Sequence, residues 1–299
     1  MRHPAPLLAL LDDGVIDEIV RPLKSGKEAS IHLVWAGGRL CAAKVYKERT
    51  ERSFHNRSAY TEGRQSRSSR QQRAIDRKTN YGKASLEEAW KEAEVNTLRL
   101  LQSHGVRVPE PVAFIEGVLV MHLVEDADGG PAPNLSQLKL TPFEAQQIHI
   151  QLLEQVVRML CAGVIHGDLS AQNVLIGVNG PTVIDFPQSF SAAHNQQAQR
   201  LLERDIESVT TYLRHLGAKI LPGKRYADEL WWLYEQGELT PEHKLTGAIL
   251  RPAAPVRSGK DLLNIIAAEI AAAEEFFRKP QEKRQSGGPR PPKGSRRGR

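Results

Sequence analysis

The sequence predicts an α+β protein with a strand-rich first part and a mainly helical second part. Up to about residue 124, short apolar runs alternate with glycine-containing turns, a pattern typical of antiparallel hairpins. From Thr141 onward, apolar residues recur three or four positions apart, a pattern typical of amphipathic helices. With 299 residues, the chain is long enough to form two lobes around a substantial core.

The composition is that of an ordinary globular protein, with 40% hydrophobic and 25% charged residues. No apolar run approaches the ~20 residues that a membrane-spanning helix needs. Asp12 and Asp13 interrupt the N-terminal leucines, so this stretch does not have the pattern of a signal peptide. The two cysteines, Cys41 and Cys161, make no disulfide framework. These features predict a cytoplasmic protein that does not contact a membrane.

The net charge of +6 arises from two basic segments. Residues 278–299 contain nine Lys or Arg and one Glu, and residues 48–83 contain ten Lys or Arg and four acidic residues. Such segments favour contact with RNA or another polyanion, although a solvated, solubilising tail would have the same composition. Because both segments are poor in apolar residues, we predict a flexible insertion over 48–83 and a disordered tail over 278–299.

The first part begins with helical spacing over residues 7–20, which predicts one or two short helices. Residues 31–35 and 40–46 form a predicted hairpin around two glycines. Before it, residues 22–30 form a predicted loop of small residues, whose backbone N–H groups could cradle phosphates. Lys44, inside the second strand of the hairpin, either faces solvent or reaches into a cleft.

A helix is predicted after the basic insertion. Ser85 and Glu88 have the spacing of a capping box, and the helix runs to about Ser103. Glu92 and Glu94 on this helix are both candidates to pair with the lysine of the preceding hairpin.

A second hairpin is predicted over 112–124, and the acidic segment 125–130 after it is interpreted as a flexible hinge between lobes. The second part opens with a helix that a capping box starts at Thr141 and Gly163 ends. Asp205, in a later helix, either anchors a loop or, as we favour, is a surface acid. Further helices are predicted over 198–216, 225–236 and 261–277.

Polar residues surround a third predicted hairpin within residues 164–186. An Asn-Gly turn joins its two short apolar strands. Asn173 precedes the first strand and Asp185 follows the second. Because an antiparallel hairpin brings its outer ends together, we expect these two side chains to be neighbours. Their carboxylate and amide oxygens suit Mg²⁺ that also binds substrate phosphates.

The stretch from His166 to Asn173 has the spacing of the H-R-D-x-x-x-x-N catalytic loop of kinases, with Gly167 in place of the arginine. In this pattern Asp168 would accept the proton of a substrate hydroxyl, and Lys44 would contact the phosphates. The alternative is an ordinary polar hairpin with turn carboxylates. Because all these residues occur together at the spacing of the kinase motif, phosphoryl transfer is favoured over this alternative.

Five motifs resemble those of the RIO-type atypical serine/threonine protein kinases, specifically the type-one branch in its bacterial form. The resemblance covers roughly residues 15–217. The motifs are S-G-K-E-A-S at 25–30, A-A-K-V-Y-K around Lys44, W-x-x-x-E at Trp90 and Glu94, H-G-D-L-S-x-x-N at 166–173, and I-D-F-P-Q at 184–188.

The resemblance implies a two-lobe, protein-kinase-like α+β fold with a trimmed C-lobe that has no activation or A-P-E segment. The N-terminal helix and N-lobe would span residues 1–124, and the mainly helical C-lobe would span 125–277. Because Gly167 replaces the arginine that reads an activation-loop phosphate, phosphorylation there is not expected to switch the enzyme on.

The resemblance also implies ATP and Mg²⁺ as cofactors and transfer of the γ-phosphate to serine or threonine. Asp168, Lys44 and Asp185 would be catalytic, and Asn173 and Asp185 would bind the metal. Asp185 would also be able to accept phosphate, which would give an aspartyl-phosphate and slow ATP hydrolysis. The nucleotide-binding residues would be Ser25, Gly26, Lys27, Ser30, Lys44, Glu94, Met121, Leu123 and Asn173.

The expected partners are a protein substrate and the chain itself. Two other functions stay open at this point. A small-molecule phosphotransferase of the aminoglycoside- or sugar-kinase kind shares the H-G-D and D-F motifs. An RNA- or ribosome-associated assembly factor would use ATP as a conformational switch and contact RNA through its basic tail.

Overall fold

The computed structural model describes residues 3–26, 28–47, 80–195 and 197–248, with the backbone alone over 80–91 and at residue 194. These residues belong to a compact unit that spans Met1–Ile249, and a second unit spans Leu250–Arg299. Several predicted features lie outside the described residues, namely Lys27, the insertion up to residue 79, the helix over 261–277 and the basic tail.

An antiparallel sheet of five strands forms the N-terminal lobe, in the order β1-β2-β3-β5-β4. The predicted hairpins over 31–46 and 112–124 are confirmed, with small shifts of their ends. The strands are β1 (Glu18–Ser25), β2 (Ala29–Ala36), β3 (Arg39–Tyr46), β4 (Pro111–Ile115) and β5 (Val118–His122).

The first strand, β1, lies where the sequence predicts helix and loop. Helix α1 (Ala5–Asp12) ends well before residue 20, and β1 already begins at Glu18. β1 is an edge strand, where Pro22 is tolerated because its missing N–H needs no ladder partner. Since most of its side chains are exposed, β1 lacks the alternating apolar pattern that marks a half-buried strand.

The two faces of the sheet pack on different apolar clusters. One face packs with α1, and its strand residues are Val34, Ala36, Cys41, Ala43, Val45, Val118 and Val120. The other face carries Tyr46, Leu119 and Met121, which belong to a larger cluster with α2 (Asn80–Ser103) and the helical part. Lys44 lies on this second face because successive side chains of a strand alternate.

Helix α2 begins at Asn80, so the predicted cap at Ser85 is wrong. A capping-box pattern starts a helix only where the preceding residues leave the helical path. Here residues 80–84 continue the helix, and Ser85 lies inside it.

The acidic segment after β5 forms a hydrogen-bonded loop, and its interpretation as a flexible hinge between lobes stays a prediction. The Asp126 N–H donates to the Gly130 carbonyl at 2.8 Å, and the Asp126 carboxylate accepts from the Asp128 and Gly130 N–H groups at 3.0 and 2.8 Å. The Val178 N–H donates to the Glu125 carbonyl at 3.0 Å. The loop is therefore bonded both to itself and to a hairpin of the helical part.

Helices and short strands make up the second part. The capping box at the start of its first helix is confirmed, because Thr141 and Glu144 each accept a hydrogen bond from the other's backbone N–H. The helices are α3 (Pro142–Cys161), α4 (Ala198–His215) and α5 (Gly223–Gln236), and the paired strands are β6 (Val164–Ile165) with β9 (Phe190–Ser191) and β7 (Val174–Gly177) with β8 (Gly180–Val183). The fold is thus the predicted α+β arrangement of an antiparallel sheet and a helical part. None of the helices in the described ranges has the length and apolar character needed to cross a membrane.

Candidate active site

The hairpin of β7 and β8 holds Asn173 and Asp185 at its open end. Its register pairs Val174 with Val183. Beyond this pair, the Ile184 N–H donates to the Asn173 carbonyl at 3.0 Å. The structure therefore brings Asn173 and Asp185, which are twelve positions apart in the chain, to the same end of the hairpin.

Lys44 lies between two carboxylates. Its Nζ is 2.6 Å from Glu94 Oε1 and 2.8 Å from Asp185 Oδ1. Glu94 is buried, whereas Glu92, the other candidate on α2, is exposed. Because the Lys44 side chain is only 9% exposed, it reaches into the cleft rather than into solvent. These contacts join the sheet, α2 and the β7–β8 hairpin at one point.

The charges of this cluster stabilise one another. Burial opposes the charged form of Lys44, but the carboxylates of Glu94 and Asp185 raise the pKa of Lys44 above its ordinary value. Burial likewise opposes the charged form of Asp185, but the Lys44 ammonium lowers the pKa of Asp185 below its ordinary value. Lys44 and Asp185 are therefore both ionised at neutral pH.

Tyr46 completes the cluster and had no role in the sequence interpretation. Its hydroxyl donates to Glu94 Oε2 at 2.6 Å, so each oxygen of that carboxylate has a partner. Lys44 Nζ lies 5.3 Å from the centre of the Tyr46 ring, within the range of a cation–π contact. Since Tyr46 is two positions after Lys44 in the same strand, strand alternation alone would have placed it on the same face.

Asp205 anchors the loop that carries Asp168. Its carboxylate accepts the Gly167 N–H at 2.7 Å and the Leu169 N–H at 3.2 Å. Asp205 is 2% exposed, so the favoured expectation of a surface acid is wrong and the loop anchor is the correct alternative. Burial raises the pKa of Asp205 to about 6. The adjacent Arg204 guanidinium donates to the Gly167 carbonyl.

His166 ties the same loop to the end of β8. Its Nε2 donates to the Ile184 carbonyl at 3.0 Å, and its Nδ1 accepts the Asp168 N–H at 3.2 Å. The Asn173 amide nitrogen donates to the Asp168 carbonyl at 2.9 Å, which leaves the amide oxygen to bind a ligand. Burial raises the pKa of Asp168 above its ordinary value.

The serines of the predicted phosphate loop lie on the opposite face of the sheet from Lys44. Ser30 pairs with Val45, which belongs to the cluster under α1, and its hydroxyl lies 3.1 Å from His32 Nε2. Ser25 pairs with Ser30 and shares that face. A strand places adjacent residues on opposite faces, so these two side chains do not share the face of Lys44, and their assignment to the nucleotide site stays a prediction.

Backbone groups near the predicted nucleotide site are partly used within the protein. The Gly26 N–H donates to the Ala29 carbonyl at 2.9 Å and closes the turn between β1 and β2. The Leu123 N–H donates to the Leu40 carbonyl at 3.2 Å. Met121 is buried on the face that carries Lys44.

The chain is similar in sequence to known proteins. The RIO domain family matches residues 31–225. The chain is 33% identical over 218 residues to the RIO-type serine/threonine-protein kinase Rio1 of Haloferax volcanii, covering 72% of this chain and 69% of that protein. It is 30% identical over 213 residues to the Rio1 kinase of Methanocaldococcus jannaschii, covering 70% and 67%.

A human relative, the serine/threonine-protein kinase RIO1, is 30% identical over 215 residues, which cover 70% of this chain and 36% of the human protein. The aligned region therefore spans about two thirds of the archaeal relatives but only about a third of the human one.

Proposed function

Because the chain belongs to the RIO family of serine/threonine-protein kinases, it is a kinase that uses ATP and acts on protein, and we propose that it works with Mg²⁺ and also phosphorylates itself. We further propose that the site consists of Lys44, Glu94, Asp168, Asn173 and Asp185. The bacterial form of the type-one branch and a cytoplasmic location stay predictions from the sequence.

The observation that carries the proposal is the buried ion cluster around Lys44. Removing an ammonium from water costs several kcal/mol unless charged partners compensate, so such a cluster is a weak source of stability. Titratable groups with shifted pKa values in a cleft are candidates for function. Glu94 holds the lysine in place, while the Asp185 side chain is 47% exposed and open to a ligand. This arrangement fits a lysine that contacts nucleotide phosphates beside a metal-binding aspartate.

The residues at the open end of the hairpin fit Mg²⁺. Asp185 is ionised and Asn173 has a free amide oxygen, and hard oxygen ligands of this kind suit that ion. Within the described residues, no group of three or more His, Cys, Asp or Glu could enclose a metal by itself. Mg²⁺ typically keeps only one or two protein ligands and completes its shell with phosphates and water. Bound there, Mg²⁺ would neutralise charge on the transferred phosphate.

We propose that Asp168 accepts the proton of the attacking hydroxyl. In the proposed reaction the hydroxyl oxygen bonds to the γ-phosphorus, the bond from that phosphorus to the bridging oxygen breaks, and ADP leaves. The hydroxyl proton passes to the Asp168 carboxylate, which its raised pKa makes a better base. Asp205 and His166 hold the backbone on both sides of Asp168, so its position is set before the substrate arrives.

An apolar surface beside Lys44 fits the adenine ring. Leu33, Ala42 and Met121 lie in one row across three strands, on the face that carries Lys44. Since the Leu123 N–H already donates to Leu40, adenine contacts at this segment would use other groups than that amide.

We include in the proposal that Asp185 itself accepts phosphate. Its carboxylate oxygen would bond to the γ-phosphorus as ADP leaves, and water would later release the phosphate from the aspartyl group. The half-exposed side chain supports this, because one oxygen contacts Lys44 and the group still reaches solvent. The net reaction is a slow hydrolysis of ATP.

The chemistry can be tested with radiolabelled ATP on the purified full-length chain, with and without added Mg²⁺. We expect Asp168→Asn and Asp185→Asn to slow labelling of the chain and release of phosphate by at least about 10²-fold, with little change in the unfolding midpoint. Asp128→Asn, an exposed acid of the loop after β5, is the matched control and should have no effect. Wild-type labelling by Asp185→Asn would contradict the metal and phosphate assignment.

RNA or ribosome contact is proposed from the sequence alone, since residues 278–299 lie outside the described part. Deleting this tail should weaken binding to RNA and reduce its salt dependence while ATP turnover is unchanged. Equal binding before and after deletion would exclude this role of the tail. No observation on the described residues favours a small-molecule phosphotransferase.

A further inference from the structure

We infer that Lys24 of β1 binds the phosphate groups of the nucleotide, as a second cation beside Lys44. The inference rests on the proposed ATP site and assigns it a residue that the sequence motifs do not include. The ligand class is a nucleoside di- or triphosphate.

The strand register places Lys24 in the same transverse row as Lys44. Lys24 pairs with Ile31 across β1 and β2, and Ile31 pairs with Lys44 across β2 and β3. Directly opposed residues of antiparallel strands project from the same face of the sheet. With a spacing of about 4.8 Å between neighbouring strands, the two lysine Cα atoms are roughly 10 Å apart. Both side chains therefore begin on the cleft side of the sheet.

The two lysines differ in their burial and in their ion pairing. Lys44 is buried and bonded to Glu94 and Asp185, whereas Lys24 is exposed. Lys24 lies in the row of Lys44, whose Nζ contacts Asp185 at 2.8 Å, so the Lys24 side chain begins on the side of the sheet where the transferred phosphate would lie. A flexible, strongly hydrated ammonium is suited to a mobile polyphosphate.

The neighbouring groups of the loop either lie on the opposite face of the sheet or are already hydrogen-bonded. Ser25 and Ser30 share the opposite face of the sheet, and the Gly26 N–H is bonded to the Ala29 carbonyl. Among the described residues at this end of β1, the side chain directed to the cleft is therefore that of Lys24. The sequence motif S-G-K-E-A-S starts one residue too late to include it.

Arg21 provides a matched control on the same strand. It is also an exposed cation and lies on the same face, but it pairs with Leu33, one row farther from Lys44. A general effect of positive charge on nucleotide binding would be the same for both residues. A direct contact with phosphate would be seen only at Lys24.

The test measures equilibrium binding of ATP, ADP and adenosine to full-length wild type, Lys24→Met, Lys24→Arg and Arg21→Met. We expect Lys24→Met to weaken ATP binding about tenfold, the effect of one charge-assisted hydrogen bond, and to leave adenosine binding unchanged. Lys24→Arg should retain most of the affinity. Arg21→Met should keep the wild-type ratio of ATP to adenosine affinity, because Arg21 pairs with Leu33 of the proposed adenine row and not with the row of Lys44. The ATP affinity of Lys24→Met should also depend less on salt concentration.

Equal ATP affinity of wild type and Lys24→Met would overturn the inference. An equal loss for ATP and adenosine in Lys24→Met, or a loss in Arg21→Met of the same size that is specific to ATP, would overturn it as well. In each of these cases wild type still binds ATP, so the proposed function stands. A wild-type protein that binds no ATP would instead refute the proposed function itself.

Discussion

Two buried titratable side chains of the helical part should make stability depend on pH in opposite directions. Asp205 and His149 are each 2% exposed. Burial raises the pKa of Asp205 to about 6 and lowers the pKa of His149 to about 4. His149 lies on α3, where its Nε2 is 3.0 Å from the Thr210 hydroxyl and its ring packs edge-on against Tyr226.

The magnitudes follow from the difference between folded and ordinary pKa values. The Asp205 contribution is full below its ordinary pKa of 3.8 and is lost as the pH rises through about 6, a change of about 3 kcal/mol. The His149 contribution is full above its ordinary pKa of 6.5 and is lost as the pH falls through about 4, also about 3 kcal/mol. Between these limits the two effects nearly cancel in the wild type.

Removing either side chain should therefore reveal the pH dependence of stability that the other one causes. Urea unfolding of wild type, Asp205→Asn and His149→Gln over a series of pH values from about 4 to about 7 measures the effect. Relative to wild type, the free energy of unfolding of Asp205→Asn should rise with pH, because the effect of His149 is left. That of His149→Gln should fall with pH, because the effect of Asp205 is left. Difference curves that do not depend on pH, or that have the same sign, would refute the reasoning.

Three further substitutions test the site and the loop after β5. Glu94→Gln should slow phosphate transfer about 10²-fold because Lys44 loses a charged partner, while Glu92→Gln on the exposed side should match wild type in the same radiolabel assay. Tyr46→Phe should lower the free energy of unfolding by about 1 kcal/mol and slow transfer several-fold, and unchanged stability would argue against its bond to Glu94. Gly177→Ala should destabilise the protein by about 1–3 kcal/mol, because its Cβ would lie 2.8 Å from the Glu125 carbonyl oxygen, and an unchanged unfolding midpoint would contradict that packing.

The parts of the fold that the sequence predicts correctly depend on neighbours in the chain. The Asn-Gly turn sets the β7–β8 hairpin, and the Thr141 capping box starts α3. In each case the interacting groups are only a few residues apart, so local propensity decides the outcome. β1 is the exception, because its exposed edge position removes the apolar alternation by which a strand is recognised.

The candidate site also combines features that depend on neighbours in the chain with features that depend on distant segments. The spacing from His166 to Asn173 indicates the catalytic loop, but Asp205, which holds this loop, lies 38 and 36 residues after its partners Gly167 and Leu169. From sequence, Asp205 has the features of a surface acid, since nothing next to it in the chain indicates burial. Only the packed structure shows that its carboxylate meets two backbone N–H groups.

By itself, the sequence determined the turns, the helix start at Thr141 and the order of polar residues around the third hairpin, since all of these depend on short-range geometry. The tertiary structure alone decided that Glu94 rather than Glu92 meets Lys44, and that Lys24 rather than Ser25 faces the cleft. Both choices depend on which face of an element is turned toward the core. That orientation is set by burial and charge pairing between distant segments, which come together only when the chain folds.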